Sequence, residues 1–95
     1  MVAWGTFESG AFSVSRGSLT MYRSSADVVR GHCAMCGTSL TYQHDRRAAE
    51  IDITLSTLDE PNAFVPECHI WVQDKLPWLK LEDGLPQYSA FRDAT

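Results

Sequence analysis

The sequence lacks the features that mark several common classes of protein. None of its apolar runs approaches the ~20 residues that a membrane-spanning helix needs, so we expect no membrane segment. Basic residues are few, the net charge is −4, and the richest basic spot is the pair Arg46 and Arg47. Because nucleic-acid binding depends on clustered Lys and Arg, we expect no nucleic-acid partner. The first residues lack the basic segment of a signal peptide, which favours a cytoplasmic location.

Cysteine is also scarce, and its arrangement is informative. The chain has three cysteines, Cys33, Cys36 and Cys68, and an odd number without a secretion signal favours thiols or metal ligands over a disulfide framework. Two residues separate Cys33 from Cys36, and Gly37 follows. A tight turn with this spacing directs both thiolates at one metal ion, and glycine supplies the backbone freedom needed there. The spacing therefore predicts a zinc knuckle with Cys33 and Cys36 as metal ligands.

Zinc takes four ligands, and this knuckle supplies two of them. A second copy of the chain would bring its own pair and form a homodimer around a shared site. Alternatively, Cys68 or His69 completes the site, or the site stays empty. His32 adjoins Cys33, so in an extended strand it points to the opposite face and is not expected to bind the same metal. Otherwise Cys68 reads as a core residue, His69 as a hydrogen-bonded structural residue and His44 as a solvated one.

The sequence has no helical period over ten residues or more, which argues against a helical domain. Short β-rich runs alternate with turn signals, and the length of 95 residues fits one domain. The pattern predicts a single all-β domain, residues 1–95, built of antiparallel hairpins. The predicted strands are residues 2–7, 11–15, 19–23, 27–30, 38–42, 50–55 and 68–72. Residues 58–64 read as a loop or short helical turn, residues 75–88 as coil, and the knuckle as a hairpin tip.

Six segments of the chain carry a family resemblance. They are residues 2–7 (VAWGTF), 22–25 (YRSS), 30–40 (RGHCAMCGTSL), 58–59 (LD), 69–72 with 74–78 (HIWV, DKLPW) and 83–88 (DGLPQY). In this order they resemble the glutathione-dependent formaldehyde-activating enzyme and centromere protein V family. The Cys-x-x-Cys-Gly-Thr motif is common by itself, and the ordered set of six segments is much more specific.

The resemblance implies a fold and an activity. The fold would be β-tent-like, built of small β-sheets. The activity would be that of a zinc-dependent carbon–sulfur lyase, which condenses formaldehyde with glutathione to S-hydroxymethylglutathione. The cofactor would be zinc, and the partner a glutathione-derived small molecule.

The resemblance also implies two zinc sites. A structural zinc would be held by an upstream Cys-x-Cys pair and the later Cys-x-x-Cys, and a catalytic zinc by a Cys-x-Cys-x-x-Cys motif. Only the later Cys-x-x-Cys has a counterpart here, Cys33 and Cys36, so no catalytic residue is carried over. We therefore expect an N-terminally truncated domain that is inactive as this chain. The alternative is a non-catalytic zinc-binding or dimerising module.

Two further groups of residues have alternative interpretations. One group of aromatic residues forms either a ligand groove or, more commonly, core: Trp4, Trp71, Trp78, Tyr22, Tyr42 and Tyr88. Arg23 and Arg30 either hold a glutathione carboxylate by paired hydrogen bonds or are solvated surface charges. The sequence favours the second interpretation for both arginines.

Overall fold

The computed structural model describes residues 1–14 and 17–92. The chain divides into two compact units, Met1–Phe64 and Val65–Thr95. The strands, all in the first unit, are β1 (Trp4–Glu8), β2 (Leu19–Ser25), β3 (Val28–Cys33), β4 (Ser39–His44) and β5 (Glu50–Thr54). Short 3₁₀ turns lie at Ser9–Ala11, Asp45–Arg47, Leu55–Thr57 and Pro61–Ala63. In the part of the chain that is described, nothing forms a helix long and apolar enough to cross a membrane.

The five strands form one antiparallel sheet in the order β1-β5-β4-β3-β2. Strands β2 to β5 follow one another as a meander, and β1 then pairs with β5 at the end of the series. Residues 1–14 and 17–92 contain no α-helix. The prediction of an all-β domain of antiparallel hairpins is therefore confirmed, together with five of the seven predicted strands.

One face of the sheet is largely apolar. Strand pairing places one row of residues opposite one another on this face: Met21, Gly31, Thr41, Ile53 and Gly5. The neighbouring Ile51 and Leu55 are only 3% and 5% exposed, and each contributes about 1.5–3 kcal/mol by burial. The rings of Phe7 and Phe64 meet edge to face at 5.3 Å. The alternation thus places Ile51 of β5 and Leu55 just after it in the core, as the sequence predicts, and leaves Ile53 half-buried.

The other face carries a polar and aromatic row. Its members lie opposite one another on adjacent strands: Tyr22, Arg30, Tyr42, Asp52 and Thr6. Thr6 Oγ1 donates a hydrogen bond to Asp52 Oδ1 at 2.6 Å. The Trp4 ring lies 6.2 Å from the Tyr42 ring, in an edge-to-face arrangement. This face therefore combines aromatic surface with charge, a composition typical of recognition surfaces rather than of a core.

The predicted strand at residues 11–15 is wrong for the residues that the structure describes. Ala11 ends a 3₁₀ turn, residues 12–14 have no strand partner, and residue 15 lies outside the described residues. Phe12 instead lines a small apolar cavity of about 160 Å³ beside Phe7 and Ile53. An alternating pattern marks a half-buried segment, but a strand also needs a partner edge, and none is paired with residues 11–14.

The second unit has little regular structure. The predicted strand at residues 68–72 is wrong, because Trp71 adopts a left-handed backbone with φ 56° and Val72–Asp74 forms a 3₁₀ turn. A single parallel bridge joins His69 to Gln87. Apart from that bridge, residues 75–88 contain turns and coil, as predicted. A left-handed residue reverses the direction of the chain and ends any extended run there.

Candidate functional site

The cysteine hairpin consists of the end of β3, a short turn and the start of β4. Cys33 is the last residue of β3, the turn occupies residues 34–36, and Ser39 begins β4. The Cys33 N–H donates to Thr38 O, and the Gly37 N–H donates to Cys33 O, both at 2.9 Å. These two hydrogen bonds close the turn on itself, so that Cys33 and Cys36 lie at one tip. The predicted hairpin is therefore present, with both cysteines where the sequence places them.

Gly37 is required by its backbone conformation and not by crowding. Its φ is 78°, in the left-handed region that other residues rarely adopt. A Cβ atom at this position would meet nothing within 4 Å. The glycine therefore lets the chain turn sharply after Cys36 and enter β4, as the sequence predicts for the residue after Cys36.

The two thiols of the hairpin differ in environment. Cys36 is exposed and Cys33 is half-buried. Cys36 Sγ lies 3.1 Å from Thr38 Oγ1. This side-chain hydrogen bond is the largest cause that lowers the pKa of Cys36, followed by the Thr38 backbone and the Cys33 side chain. Because metals bind the thiolate and not the thiol, the surroundings of Cys36 favour the form that binds metal.

The other candidate donors have different roles. Among residues 1–14 and 17–92, no three His, Cys, Asp or Glu side chains cluster closely enough to hold a metal ion. His44 Nδ1 accepts a hydrogen bond from the Arg46 N–H at 3.1 Å and so caps a 3₁₀ turn. In the second unit, His69 Nε2 lies 2.7 Å from Asp83 Oδ2, which agrees with its interpretation as a hydrogen-bonded structural residue. The cysteine hairpin thus offers two sulfur donors from the described residues.

A concavity of about 320 Å³ lies beside the hairpin, and residues of both the polar and the apolar row line it. The residues that line it come from β1 to β4 and from the hairpin: Trp4, Tyr22, Arg30, Gly31, His32, Gly37, Ser39 and Thr41. From the sequence, the aromatic residues are expected to form either a ligand groove or core. Trp4 and Tyr22 do line this concavity. The sequence did not indicate that His32 and Ser39 would join them, because cross-strand pairing brings those residues together.

The two arginines singled out from the sequence differ in their partners. Arg23 Nη1 lies 2.9 Å from Asp45 Oδ2 and also donates to the Ala26 carbonyl at 2.9 Å. It is therefore an ion-paired structural residue. Arg30 lines the concavity instead, and its guanidinium lies 4.8 Å from the centre of the Tyr42 ring. Only Arg30 of this pair is available to a ligand.

These observations define a small all-β domain whose sheet carries a two-cysteine hairpin at one end and a concavity beside it. A family model described as "Glutathione-dependent formaldehyde-activating enzyme" matches residues 1–74. The chain belongs to this family, and membership supports a function in glutathione-dependent formaldehyde activation at the level of the family. No curated protein matches the chain.

Proposed function

We propose that this chain is a zinc-binding domain of the glutathione-dependent formaldehyde-activating family, with Cys33 and Cys36 as two of the metal ligands. The hairpin geometry carries the proposal, because it presents both sulfurs at one turn that Gly37 makes possible. Thiolate sulfur is a preferred ligand of zinc, and the lowered pKa of Cys36 favours the thiolate. Bound at this tip, zinc would act as a cross-link that stabilises the hairpin.

Two sulfurs provide half of a tetrahedral zinc shell. In this proposal the other two ligands come from a second copy of the chain or from polypeptide other than these 95 residues. A shared site would place four cysteines on a two-fold axis, an arrangement that closed dimers permit. The exposure of Cys36 is compatible with either source, because its sulfur is accessible from outside the chain.

The reaction class that we propose follows from the family. It is a carbon–sulfur bond reaction on a glutathione adduct, namely the condensation of formaldehyde with glutathione to S-hydroxymethylglutathione. In this reaction the glutathione sulfur adds to the formaldehyde carbon, and the carbonyl oxygen takes up the thiol proton. We further propose that the chain of 95 residues does not catalyse this reaction alone, because its three cysteines include no Cys-x-Cys-x-x-Cys motif.

The zinc content of the purified chain tests the metal site. We expect zinc in the wild type, and its loss in Cys33→Ser and in Cys36→Ser. Cys68→Ser is the matched control, because it removes a half-buried thiol of the second unit and should leave the zinc content unchanged. Half a zinc per chain supports the shared site. Zinc that survives both hairpin substitutions, or that depends on Cys68, contradicts the proposal.

An activity assay tests the catalytic part separately. Formaldehyde and glutathione combine without a catalyst, so the rate with the protein is compared with the rate in buffer that contains the same zinc concentration. We expect the two rates to be equal for the chain of 95 residues. Zinc-dependent turnover above the buffer rate that is lost in Cys36→Ser would overturn the proposal of inactivity.

A non-catalytic dimerising module is the second candidate function. Its specific support is the two-cysteine hairpin, in which Cys36 is exposed and to which the described residues supply no third donor. Light scattering with and without zinc separates the candidates. A dimer that forms with zinc and is lost in Cys36→Ser supports the module, whereas a zinc-loaded monomer at micromolar concentration contradicts it.

A further inference from the structure

Arg30 differs from every other arginine in the described part of the chain, because it has no acidic partner. The others are paired: Arg23 with Asp45 at 2.9 Å, Arg46 with Asp27 at 3.7 Å, Arg47 with Glu50 at 3.1 Å, and Arg92 with Glu67 at 2.8 Å. In a chain with a net charge of −4, an unpaired guanidinium is an exception that needs an explanation. A surface charge can simply be solvated, so its surroundings decide between the two interpretations.

The nearest acid on the same row of the sheet does not neutralise Arg30. Tyr42 lies between Arg30 and Asp52, so these two residues are two strands apart, or about 10 Å at the usual strand spacing. Asp52 already accepts a hydrogen bond from Thr6 Oγ1 at 2.6 Å and lies 3.7 Å from Arg47 Nη2. The positive charge of Arg30 is therefore left uncompensated on this face.

Two contacts hold the Arg30 side chain in place. Its Nε donates a hydrogen bond to Ser24 Oγ at 3.2 Å. Its guanidinium lies over the Tyr42 ring, 4.8 Å from the ring centre, where a cation is attracted by the aromatic face. The terminal N–H groups have no partner in residues 1–14 and 17–92. A planar fork held in this way matches the two oxygens of a carboxylate and loses little further entropy on binding.

The space beside Arg30 is an open depression that is large enough to take a small molecule. The concavity measures about 320 Å³, at the lower end of the range for ligand pockets. Trp4 and Tyr22 supply aromatic wall, and Tyr22 is 64% exposed. His32 and Ser39 add polar groups at the end nearest the hairpin. An anchored cation, an aromatic wall and polar groups in one depression favour a ligand that has a carboxylate and further hydrogen-bonding groups.

We propose that this concavity binds a small carboxylate ligand, with Arg30 as the anchoring residue. The proposal rests on the proposed function in one respect, because it takes the ligand to be a glutathione adduct. Arg30 holds a carboxylate of the adduct by paired hydrogen bonds, and Trp4 and Tyr22 contact its chain. Arg30 is thus a specificity-determining residue for the acid form of the ligand.

Binding of S-methylglutathione and of its diethyl ester, measured by calorimetry or NMR titration, tests the proposal. Esterification masks both carboxylates and keeps the rest of the ligand. In the wild type we expect the ester to bind at least about tenfold more weakly, since hydrogen bonds to charged groups are the stronger ones. Arg30→Gln should weaken binding of the acid to the same extent and remove the discrimination against the ester. Arg30→Lys should retain part of the discrimination against the ester.

Arg46→Gln is the matched control, because it makes the same charge change at a side chain that is 81% exposed and lies outside the concavity. An equal effect of Arg30→Gln and Arg46→Gln, equal binding of acid and ester, or no binding of the acid would overturn the inference. Amide spectra establish that each variant is folded. Zinc is measured in the same samples. If the protein holds zinc at the hairpin but does not bind the acid, only the inference about Arg30 is overturned. If the protein binds the acid through Arg30 but holds no zinc, only the proposed zinc site is overturned.

Discussion

Replacing Gly31 with alanine is expected to destabilise the first unit, because β3 and β4 approach closely there. Gly31 lies directly opposite Thr41 in the sheet. A Cβ atom at Gly31 would overlap Thr41 Oγ1 and lie 3.2 Å from Met21 Sδ. The Met21 side chain is flexible and can move away. Thr41 is only 1% exposed, and as a β-branched residue it is stiff at χ1, so it cannot move as easily.

The expected loss for Gly31→Ala is about 1–2 kcal/mol in the free energy of unfolding. Overpacking a buried site costs about 1–3 kcal/mol. We expect the lower part of that range, because Thr41 Oγ1 has no hydrogen-bond partner in the described residues, so its displacement breaks no bond. Urea unfolding followed by tryptophan fluorescence measures the change. Gly10→Ala is the control, since its Cβ would meet nothing within 4 Å, and its effect should stay within about 0.5 kcal/mol.

A double-mutant cycle identifies the overlap itself. Thr41→Ala removes the Oγ1 atom that the new Cβ would overlap. Gly31→Ala should therefore cost less in the Thr41→Ala background than in the wild type, with a coupling free energy of at least about 0.5 kcal/mol. Equal losses in Gly31→Ala and Gly10→Ala, or strictly additive effects of Gly31→Ala and Thr41→Ala, would refute the reasoning from close approach.

Three further predictions concern the hairpin and the second unit. Gly37→Ala should cost about 1 kcal/mol in urea unfolding, because a Cβ disfavours φ 78°, and a larger stability in the variant would contradict this. In the metal-free protein, iodoacetamide should label Cys36 faster than Cys33, since Cys36 is exposed and its pKa is lowered; mass spectrometry reads the order, and equal rates would be against it. Hydrogen bonds from His69 and the Leu85 N–H lower the pKa of Asp83 below its usual value, so the stabilisation they supply is present above the pKa of the unfolded state and is lost as the pH falls through the lowered pKa. Urea unfolding of Asp83→Asn should therefore differ from wild type above the usual pKa of an aspartate and converge with it in strong acid, whereas a difference that does not depend on pH would exclude the linkage.

The hairpin could be predicted from the sequence because its signals are local. The Cys33–Cys36 spacing, the glycine that follows and the β-rich flanks all lie within one short segment, and each constrains the turn directly. The alternation of Ile51, Ile53 and Leu55 likewise predicted β5, with Ile51 and Leu55 buried and Ile53 half-buried. In both cases the signal lies within a few consecutive residues, and for β5 it is the period of two that a strand imposes on its side chains.

The two wrong strands and the concavity depend on distant parts of the chain. Phe12 belongs to an alternating segment, but no strand edge pairs with its described residues 11–14, and Phe12 packs against a small apolar cavity instead. The backbone reversal at Trp71 has no local signal, because left-handed conformations are uncommon for residues other than glycine. That Arg30 would be unpaired depends on which acids the other arginines contact, and this follows only from the folded sheet.

The position of β1 in the sheet affects the order in which the strands assemble. Thr6 and Asp52, partners in the β1–β5 ladder, are 46 residues apart in sequence, whereas β2 to β5 are joined by short turns. Closing a long loop requires more entropy than closing a hairpin, so we expect the meander to assemble first and β1 to dock last. Pulsed hydrogen exchange during refolding should then protect β1 amides later than those of β3 and β4. Earlier protection of β1 would mean that the long-range ladder nucleates the sheet.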